Sequence, residues 1–242
     1  MKANKKSKNA KGYTVETLRK FKKECDSLIE YYMNEPLENL SVCVSDGNKK
    51  IGYSKNVSTL PVYSCRHLCG KCAKWCYDIK ACIQYKNVIH ARVKNFVIFK
   101  RSRDKFFSDI AKELSRVRIH KYFRYHVGGE IVDIDELYRL VQLAKQFPYF
   151  VMWTYTKNYN VVNLYCDIYG KDSIPSNLSI MFSEWKGKEI ANPYNFPVFY
   201  CKFPDEDPEK YKNIYHCPGN CDICKANGRG CLNGESSYAD LH

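Results

Sequence analysis

Residues 121–157 read KYFRYHVGGEIVDIDELYRLVQLAKQFPYFVMWTYTK and predict a strand, a helix and a second strand in that order. Residues 121–127 alternate in the manner of a half-buried strand, and residues 134–147 have the amphipathic period of a helix. Residues 149–155 are a β-branched and aromatic run typical of a buried strand. Such a βαβ unit has parallel strands and almost always a right-handed connection. The stretch therefore predicts an α/β fold built on a parallel sheet.

Patterns on either side of this unit predict further elements of the same kind. Helical periodicity is found at residues 14–33, 77–99, 106–117 and 161–169, and strand-like runs are found at residues 60–64, 178–185 and 198–203. The total is about five or six parallel strands, whereas a closed eight-stranded barrel typically takes ~250 residues by itself. We therefore expect a partial, open TIM-like barrel with a helical N-terminal extension and a cysteine-rich C-terminal tail that binds a cluster.

Composition divides the 242 residues into four segments. Residues 1–12 form a basic tail that is predicted to be disordered, and residues 13–57 form the N-terminal helix with a connecting segment. Residues 58–206 form the partial barrel, and residues 207–242 form an auxiliary metal- or cluster-binding segment.

The net charge of +13 is concentrated near the N-terminus. Residues 1–23 carry nine Lys and Arg against Glu16 alone, a net +8 that leaves +5 for the rest of the chain. Such a tail can contact nucleic-acid phosphates weakly, and a solvated leader accounts for it equally well. No apolar run approaches the ~20 residues of a membrane span, and the N-terminal residues lack the apolar segment of a secretory signal. We therefore expect a cytoplasmic protein without membrane contact.

The stretch SCRHLCGKCAKWCYD at residues 64–78 places four cysteines within twelve positions. This first cysteine group consists of Cys65, Cys69, Cys72 and Cys76. Thiolates prefer zinc, Cu(I) or iron–sulfur clusters, and a three-plus-two spacing suits a cluster better than a single ion. Cysteine is often simply buried, but the basic residues interleaved here do not fit a core pattern. We predict a metal or cluster site.

Four further cysteines near the C-terminus repeat that spacing. This second cysteine group consists of Cys217, Cys221, Cys224 and Cys231. Four thiolates close a site completely, as in an auxiliary [4Fe–4S] cluster or a structural zinc site. Zinc would also accept His216 or His242 in place of one thiolate. Because exposed clusters are oxygen-labile, a reducing or anaerobic host is expected.

Two motifs in the expected order resemble the radical SAM superfamily. They are Cys-x3-Cys-x2-Cys at residues 65–72 and Gly128-Gly129-Glu130 directly after the next predicted strand. The resemblance spans residues 58–203, although no proline follows Glu130 as it often does in the superfamily. An ordinary strand-to-helix turn with a solvated glutamate is the alternative for these glycines.

The resemblance implies a cofactor set and a reaction. Three cysteines would bind a [4Fe–4S] cluster whose fourth iron binds S-adenosylmethionine, and Gly128, Gly129 and Glu130 would contact the amino group of that molecule. Reduction by a partner such as flavodoxin or ferredoxin would cleave S-adenosylmethionine to a 5′-deoxyadenosyl radical, which acts on an unidentified substrate.

A second resemblance is to the phage-type gene product 88 family, whose activity is unassigned. It rests on Cys65, Cys72 and the Cys-Tyr pair at 76–77, on the YTK at residues 155–157, and on the cysteine-rich end. The two resemblances leave two ligand sets open. One consists of Cys65, Cys69 and Cys72, which the spacing alone favours, and the other consists of Cys65, Cys72 and Cys76.

The same family favours an arginine and an asparagine after the cysteines. Arg92 and Asn95 lie near one face of the helix predicted at residues 77–99, and together with Tyr77 they are expected to line the cofactor site. A solvent-exposed arginine and a helix-end asparagine are the alternative.

Four residues at or near predicted strand ends are candidates for catalysis because strand ends carry the chemistry of α/β barrels. They are Arg124, His126, Tyr155 and Lys157. His126 could equally be a core histidine with satisfied hydrogen bonds, and Lys157 could hold a carboxylate or a phosphate.

Three functions from different classes are consistent with these patterns. The first is a radical SAM enzyme. The second is a nucleic-acid-binding module stabilised by zinc at both cysteine groups. The third is an iron–sulfur protein for electron transfer or redox sensing that does not cleave S-adenosylmethionine.

Overall fold

The computed structural model describes residues 12–65 and 72–241. The helices are α1 (Val15–Asn34), α2 (Tyr77–Gln84), α3 (Lys86–Arg101), α4 (Arg103–Ser115), α5 (Ile134–Gln146), α6 (Tyr159–Tyr169) and α7 (Cys221–Asn227). The strands are β1 (Ser45–Asn48), β2 (Gly52–Val57), β3 (Tyr122–Tyr125), β4 (Val151–Thr156), β5 (Leu178–Ser183), β6 (Val198–Lys202), β7 (Tyr215–His216) and β8 (Ser237–Asp240).

The strands form a single sheet in the order β1-β2-β3-β4-β5-β6-β8-β7. β1 and β2 are antiparallel, and every other neighbouring pair is parallel. The predicted α/β class and the parallel pairing are therefore confirmed. The sheet is open, since β1 and β7 lie at its two edges.

The βαβ unit predicted from residues 121–157 is present as β3, α5 and β4. Helix α5 begins after Asp133, whose side chain accepts a 3.1 Å hydrogen bond from the backbone N–H of Glu136. Leu137 and Leu140 lie on its buried face and belong to the same core as Phe123 of β3. Burial of this apolar stripe against the sheet, more than helix propensity, holds the helix in place.

The two faces of the sheet are covered differently. On one face, here called the helix face, Phe123, Met152 and Ile180 pack into the main core with side chains of α1, α3, α4, α5 and α6. On the opposite face, here called the cysteine face, Trp153 packs with Cys224 and Leu232 from the segment between β7 and β8. The cysteine face therefore carries the second cysteine group.

Two predicted elements differ from the structure. Residues 60–64 are a turn instead of a strand, because Val62 has φ +74° and the N–H of Ser64 bonds to the Leu60 carbonyl at 3.1 Å. The strand that leads to the first cysteine group is β2, which ends at Val57. The predicted helix at residues 77–99 is divided at Tyr85, which is extended (φ −126°, ψ 112°) and precedes α3.

Residues 207–242, expected to form an appended segment, contribute β7 and β8 to the main sheet. Strand β8 lies between β6 and β7, with Phe199 opposite Ser237 and Lys202 opposite Asp240. Both strands are short, and the sequence pattern does not predict them.

Three predictions fall on residues outside those described, namely the basic tail at residues 1–11, the part of the first cysteine group that contains Cys69, and His242 as a substitute zinc ligand. Across residues 12–65 and 72–241, no helix is both long enough and apolar enough to cross a membrane.

Candidate cysteine-rich site

The glycine motif lies against the chain segment that leads into the first cysteine group. The N–H of Thr59 donates to the Gly128 carbonyl at 3.2 Å, and the N–H of Gly128 donates to Ser58 Oγ at 3.0 Å. Thr59 Oγ1 then donates to Ser64 Oγ at 3.0 Å, one residue before Cys65. The glycine motif and the segment that leads into the first cysteine group thus form one hydrogen-bonded unit beyond the ends of β2 and β3.

Close backbone approach explains why both central positions of this unit are glycine. A Cβ on Gly128 would overlap the buried carboxylate of Asp78 in α2. Gly129 has φ +101°, and a Cβ there would overlap Thr59 Oγ1. Any larger residue at either position would push the glycine motif away from the cysteine segment.

Glu130 ties the glycine motif to the end of β4. Its Oε1 accepts from the Ile131 N–H at 2.9 Å and from Thr156 Oγ1 at 2.5 Å, and its Oε2 accepts from the Lys157 N–H at 2.8 Å. The side chain is buried, so these donors replace water around the carboxylate. Glu130 is therefore fixed in orientation next to the first cysteine group.

The described thiols of the first cysteine group lie near one another. Burial, with the charge of Glu130 second, raises the pKa of Cys65 to about 12. Burial, with the charge of Asp78 second, raises the pKa of Cys76 to about 11, while backbone N–H groups at the start of α2 oppose the rise. Cys72 adds to the rise at both thiols, which places it close to each of them.

A row of three side chains on the cysteine face connects the two cysteine groups. Tyr77, next to Cys76, donates through its hydroxyl to the Val127 carbonyl, and its oxygen accepts from Arg124 Nη2 at 3.3 Å. The Arg124 guanidinium lies 4.6 Å from the centre of the Tyr155 ring. The thiol of Cys231 lies beyond Tyr155, close enough to add to the rise that burial causes in the pKa of the Tyr155 hydroxyl.

The second cysteine group is held by β8 and by the turn between β1 and β2. The N–H of Cys217 bonds to the Tyr238 carbonyl of β8 at 2.8 Å, and the N–H of Cys221 bonds to the Lys50 carbonyl at 2.8 Å. Burial raises the pKa of Cys221 to about 11, and Arg124 opposes that rise. The other three thiols of the group each add to the rise in the pKa of Cys221. All four cysteines therefore belong to the same part of the cysteine face.

The described residues contain no set of three His, Cys, Asp or Glu side chains already arranged to hold a metal ion. Cys69 lies outside that part of the chain. Burial favours the protonated form of the thiols whose pKa it raises, and a metal ion that binds those thiols displaces their protons.

A family model described as "Gene product 88" matches residues 19–196. The chain belongs to the gene product 88 family. The match includes the first cysteine group and the glycine motif and ends before Cys217. No curated protein and no solved structure matches this gene product 88 chain.

Arg92 and Asn95 of the gene product 88 chain lie on the buried side of the cysteine segment. Arg92 contacts both carboxylate oxygens of Asp78 at 3.1–3.3 Å, so it supports the residue against which Gly128 packs. Asn95 is fully buried and bonds to the backbone of Cys43 in both directions and to the Ser58 carbonyl at 2.9 Å. Contact of either side chain with a cofactor stays a prediction.

His126 points into the core, on the helix face. Its φ of +56° breaks the alternation of β3, so both His126 and Tyr125 meet Glu136 of α5. His126 Nε2 and the Tyr125 hydroxyl each lie 2.7 Å from Glu136 Oε1. This environment is that of a buried core histidine, but its hydrogen bonds are only partly satisfied, because Nδ1 is buried without a partner among the described residues.

Lys157 lies at the end of β4, as predicted, beside the next strand. Its Nζ donates to Ser183 Oγ at 3.0 Å and lies 5.9 Å from the centre of the Trp185 ring. Lys157, Asn158 and Lys188 line a polar pocket of about 160 Å³. The predicted strand-end position is confirmed, and an anion-binding role stays a prediction.

Two residues of the site carry no clear sequence signal. Asp78 reads as an ordinary acidic residue in the first turn of a helix, and its burial becomes visible only when Gly128 is placed beside it. Cys201 reads as an isolated cysteine, yet on β6 it lies close enough to Cys72 and Lys157 for their charges to affect its pKa. Parallel pairing from β2 to β6 brings these distant residues together.

Proposed function

We propose that this gene product 88 protein is an iron–sulfur enzyme of the radical SAM type, built on a partial, open barrel. The observation that carries the proposal is the hydrogen-bonded unit of Thr59, Gly128 and Ser58. It joins the glycine motif to the segment that delivers Cys65, at the carboxyl ends of parallel strands. In open α/β sheets, that end of the strands is where ligands bind.

The donor chemistry of the first cysteine group fits a [4Fe–4S] cluster. Cys65, Cys72 and Cys76 are soft ligands whose charges act on one another, and backbone N–H groups around Cys65 and Cys76 stabilise thiolates. These three form the ligand set that we favour, with Cys69 as the alternative to Cys76. When bound and reduced, the cluster supplies the electron that cleaves S-adenosylmethionine to methionine and a 5′-deoxyadenosyl radical.

The chain's own residues position the reactants. Gly128 and Gly129 let the glycine motif pack closely against Asp78 and Thr59 beside the first cysteine group, and the fixed carboxylate of Glu130 would offer a charge-assisted acceptor to a ligand's amino group there. Arg124, Tyr155 and Lys157 supply polar groups along β3 and β4 for a substrate. A reducing partner such as flavodoxin or ferredoxin would deliver the electron.

The test is anaerobic reconstitution with iron and sulfide, followed by reduction with S-adenosylmethionine and detection of 5′-deoxyadenosine by mass spectrometry. We expect Cys65→Ala, Cys72→Ala and Cys76→Ala each to lose both the cluster and the product. Cys69→Ala tests the alternative ligand set, and Cys43→Ala serves as a control outside both cysteine groups. Tightly bound zinc without iron would contradict the proposal and favour the zinc-stabilised nucleic-acid module.

One observation favours a second candidate, an iron–sulfur redox protein that does not cleave S-adenosylmethionine. The row of Tyr77, Arg124 and Tyr155 connects the two cysteine groups across the cysteine face. Two clusters at these groups would suit electron transfer. A reconstituted protein with a full complement of iron but no 5′-deoxyadenosine would support this candidate over the first.

A further inference from the structure

Among the described residues, Arg124 is a cation without a carboxylate partner. Its Nη2 donates to Tyr77, its guanidinium stacks on Tyr155, and its Nε is buried without a hydrogen-bond partner among those residues. No salt bridge within residues 12–65 and 72–241 includes it, whereas Arg92, Arg103, Arg139 and Arg229 all pair with acids. The side chain is half-buried, and a charge partly removed from water is stabilised by a counter-charge, so an anion is expected beside Arg124.

Once a metal displaces the thiol protons, the second cysteine group becomes a source of negative charge on that side of the sheet. Cys231 is fixed there because Ser179 Oγ donates to its carbonyl at 2.8 Å. Cys221 and Tyr155 both pack against the cluster of Trp153, Cys224 and Leu232. Arg124 lies in register with Trp153 and stacks on Tyr155, so it lies on the face of the sheet that this cluster covers.

A metal centre with four thiolates carries a net negative charge, whether the metal is zinc or an iron–sulfur cluster. Hydrogen bonds and charges around the ligands tune the affinity and potential of such a centre. Arg124 is placed to supply a positive charge to the centre from the sheet. Arg229 is instead paired with Glu235 on the solvent-facing side.

We infer that Arg124 is the counter-charge of a four-thiolate metal centre at the second cysteine group, and that its bond to Tyr77 links that centre to the first group. The inference rests on the auxiliary centre included in the proposed function. It does not require cleavage of S-adenosylmethionine, so failure of the enzymatic assay leaves it standing.

The experiment measures the zinc affinity of the full chain, with Zn²⁺ alone as the probe and a chromogenic chelator as competitor. A Cys217→Ser/Cys221→Ser variant identifies the zinc that belongs to the second group. We expect Arg124→Gln to weaken that affinity about 10–100-fold, the range for changes around metal ligands. Arg124→Lys, which keeps the positive charge, should retain most of the zinc affinity. Arg229→Gln is the matched control and should leave the zinc affinity unchanged.

Urea unfolding of each variant without metal separates this effect from a general loss of structure. If Arg124→Gln does not fold, the test rests on Arg124→Lys. Lysine keeps the positive charge, so this variant should still bind zinc at the second group. Unchanged affinity in Arg124→Gln, equal losses in the Gln and Lys variants, or a zinc stoichiometry that does not fall in Cys217→Ser/Cys221→Ser would each overturn the inference.

Discussion

The contact between Gly128 and Asp78 gives a sharp test of how the glycine motif is held. A Cβ at residue 128 would lie 2.8 Å from the Cβ of Asp78 and would overlap its carboxylate. That carboxylate cannot rotate away easily, because Asp78 is 2 % exposed and both its oxygens contact Arg92. Gly128→Ala must therefore shift either the backbone or the buried ion pair.

The expected cost follows from those two possibilities. Overpacking of a filled site costs about 1–3 kcal/mol, and breaking a buried ion pair costs about 3–5 kcal/mol. We expect Gly128→Ala to lower the free energy of unfolding by about 3 kcal/mol. With a urea m-value of about 2–3 kcal/mol/M, the midpoint should fall by about 1–1.5 M.

A double-mutant cycle isolates the contact. Asp78→Ala removes the overlapping carboxylate, so Gly128→Ala should cost about 1–2 kcal/mol less in that background than in the wild type. All four proteins are compared in the same metal-free state. Equal costs of Gly128→Ala in both backgrounds would refute the reasoning, since the penalty would then arise elsewhere.

Two further predictions concern buried and half-buried carboxylates. Glu136→Ala should destabilise the protein by about 3 kcal/mol in urea, because it leaves the Tyr125 hydroxyl and His126 without their buried acceptor. Burial alone would raise the pKa of Glu206, but hydrogen bonds from a backbone N–H, Lys210 and a tyrosine lower it. Its contribution to stability is thus present above its ordinary pKa of about 4.3 and is lost as pH falls through the lowered value. Wild type should therefore lose more stability than Glu206→Gln between about pH 6 and pH 3.

Each of these has an outcome that contradicts it. Glu136→Gln keeps an acceptor and should recover part of the loss, so equal losses in the Ala and Gln variants would argue against the hydrogen-bond explanation. Parallel pH profiles for wild type and Glu206→Gln would show that the Glu206 contacts do not contribute in solution.

The central part of the fold follows from sequence pattern because its elements are locally consistent. In β3, α5 and β4 the apolar period, the Asp133 cap and the apolar run all indicate the same structure. The sequence of strand β2, GYSKNV, does not indicate a strand by itself because it contains little apolar sequence. The strand forms because Asn56 and Val57 pair with β3. The apolar stretch LPVYS at residues 60–64 is predicted to be a strand, but the chain turns at Val62.

The cysteines and glycines of the candidate site could be predicted from the sequence, but the residues that support them could not. The spacing of residues 65–76 and the GGE at 128–130 indicate the site, because such motifs consist of particular residue types at fixed spacing. The supporting contacts of Asp78, Arg92 and Asn95 depend on which helix faces which loop. That information arises only from the three-dimensional packing of α2 and α3 beneath the sheet ends.

The position of β8 between β6 and β7 has a consequence for assembly of the molecule. Strand β7 pairs only with β8 among the described strands, so it cannot join the sheet until β8 has docked on β6. The second cysteine group is therefore the crossover connection between two parallel strands. A metal bound there would shorten the loop that must close, which lowers the entropic cost of docking this edge. Amide exchange in β8 should then report whether the metal has been loaded.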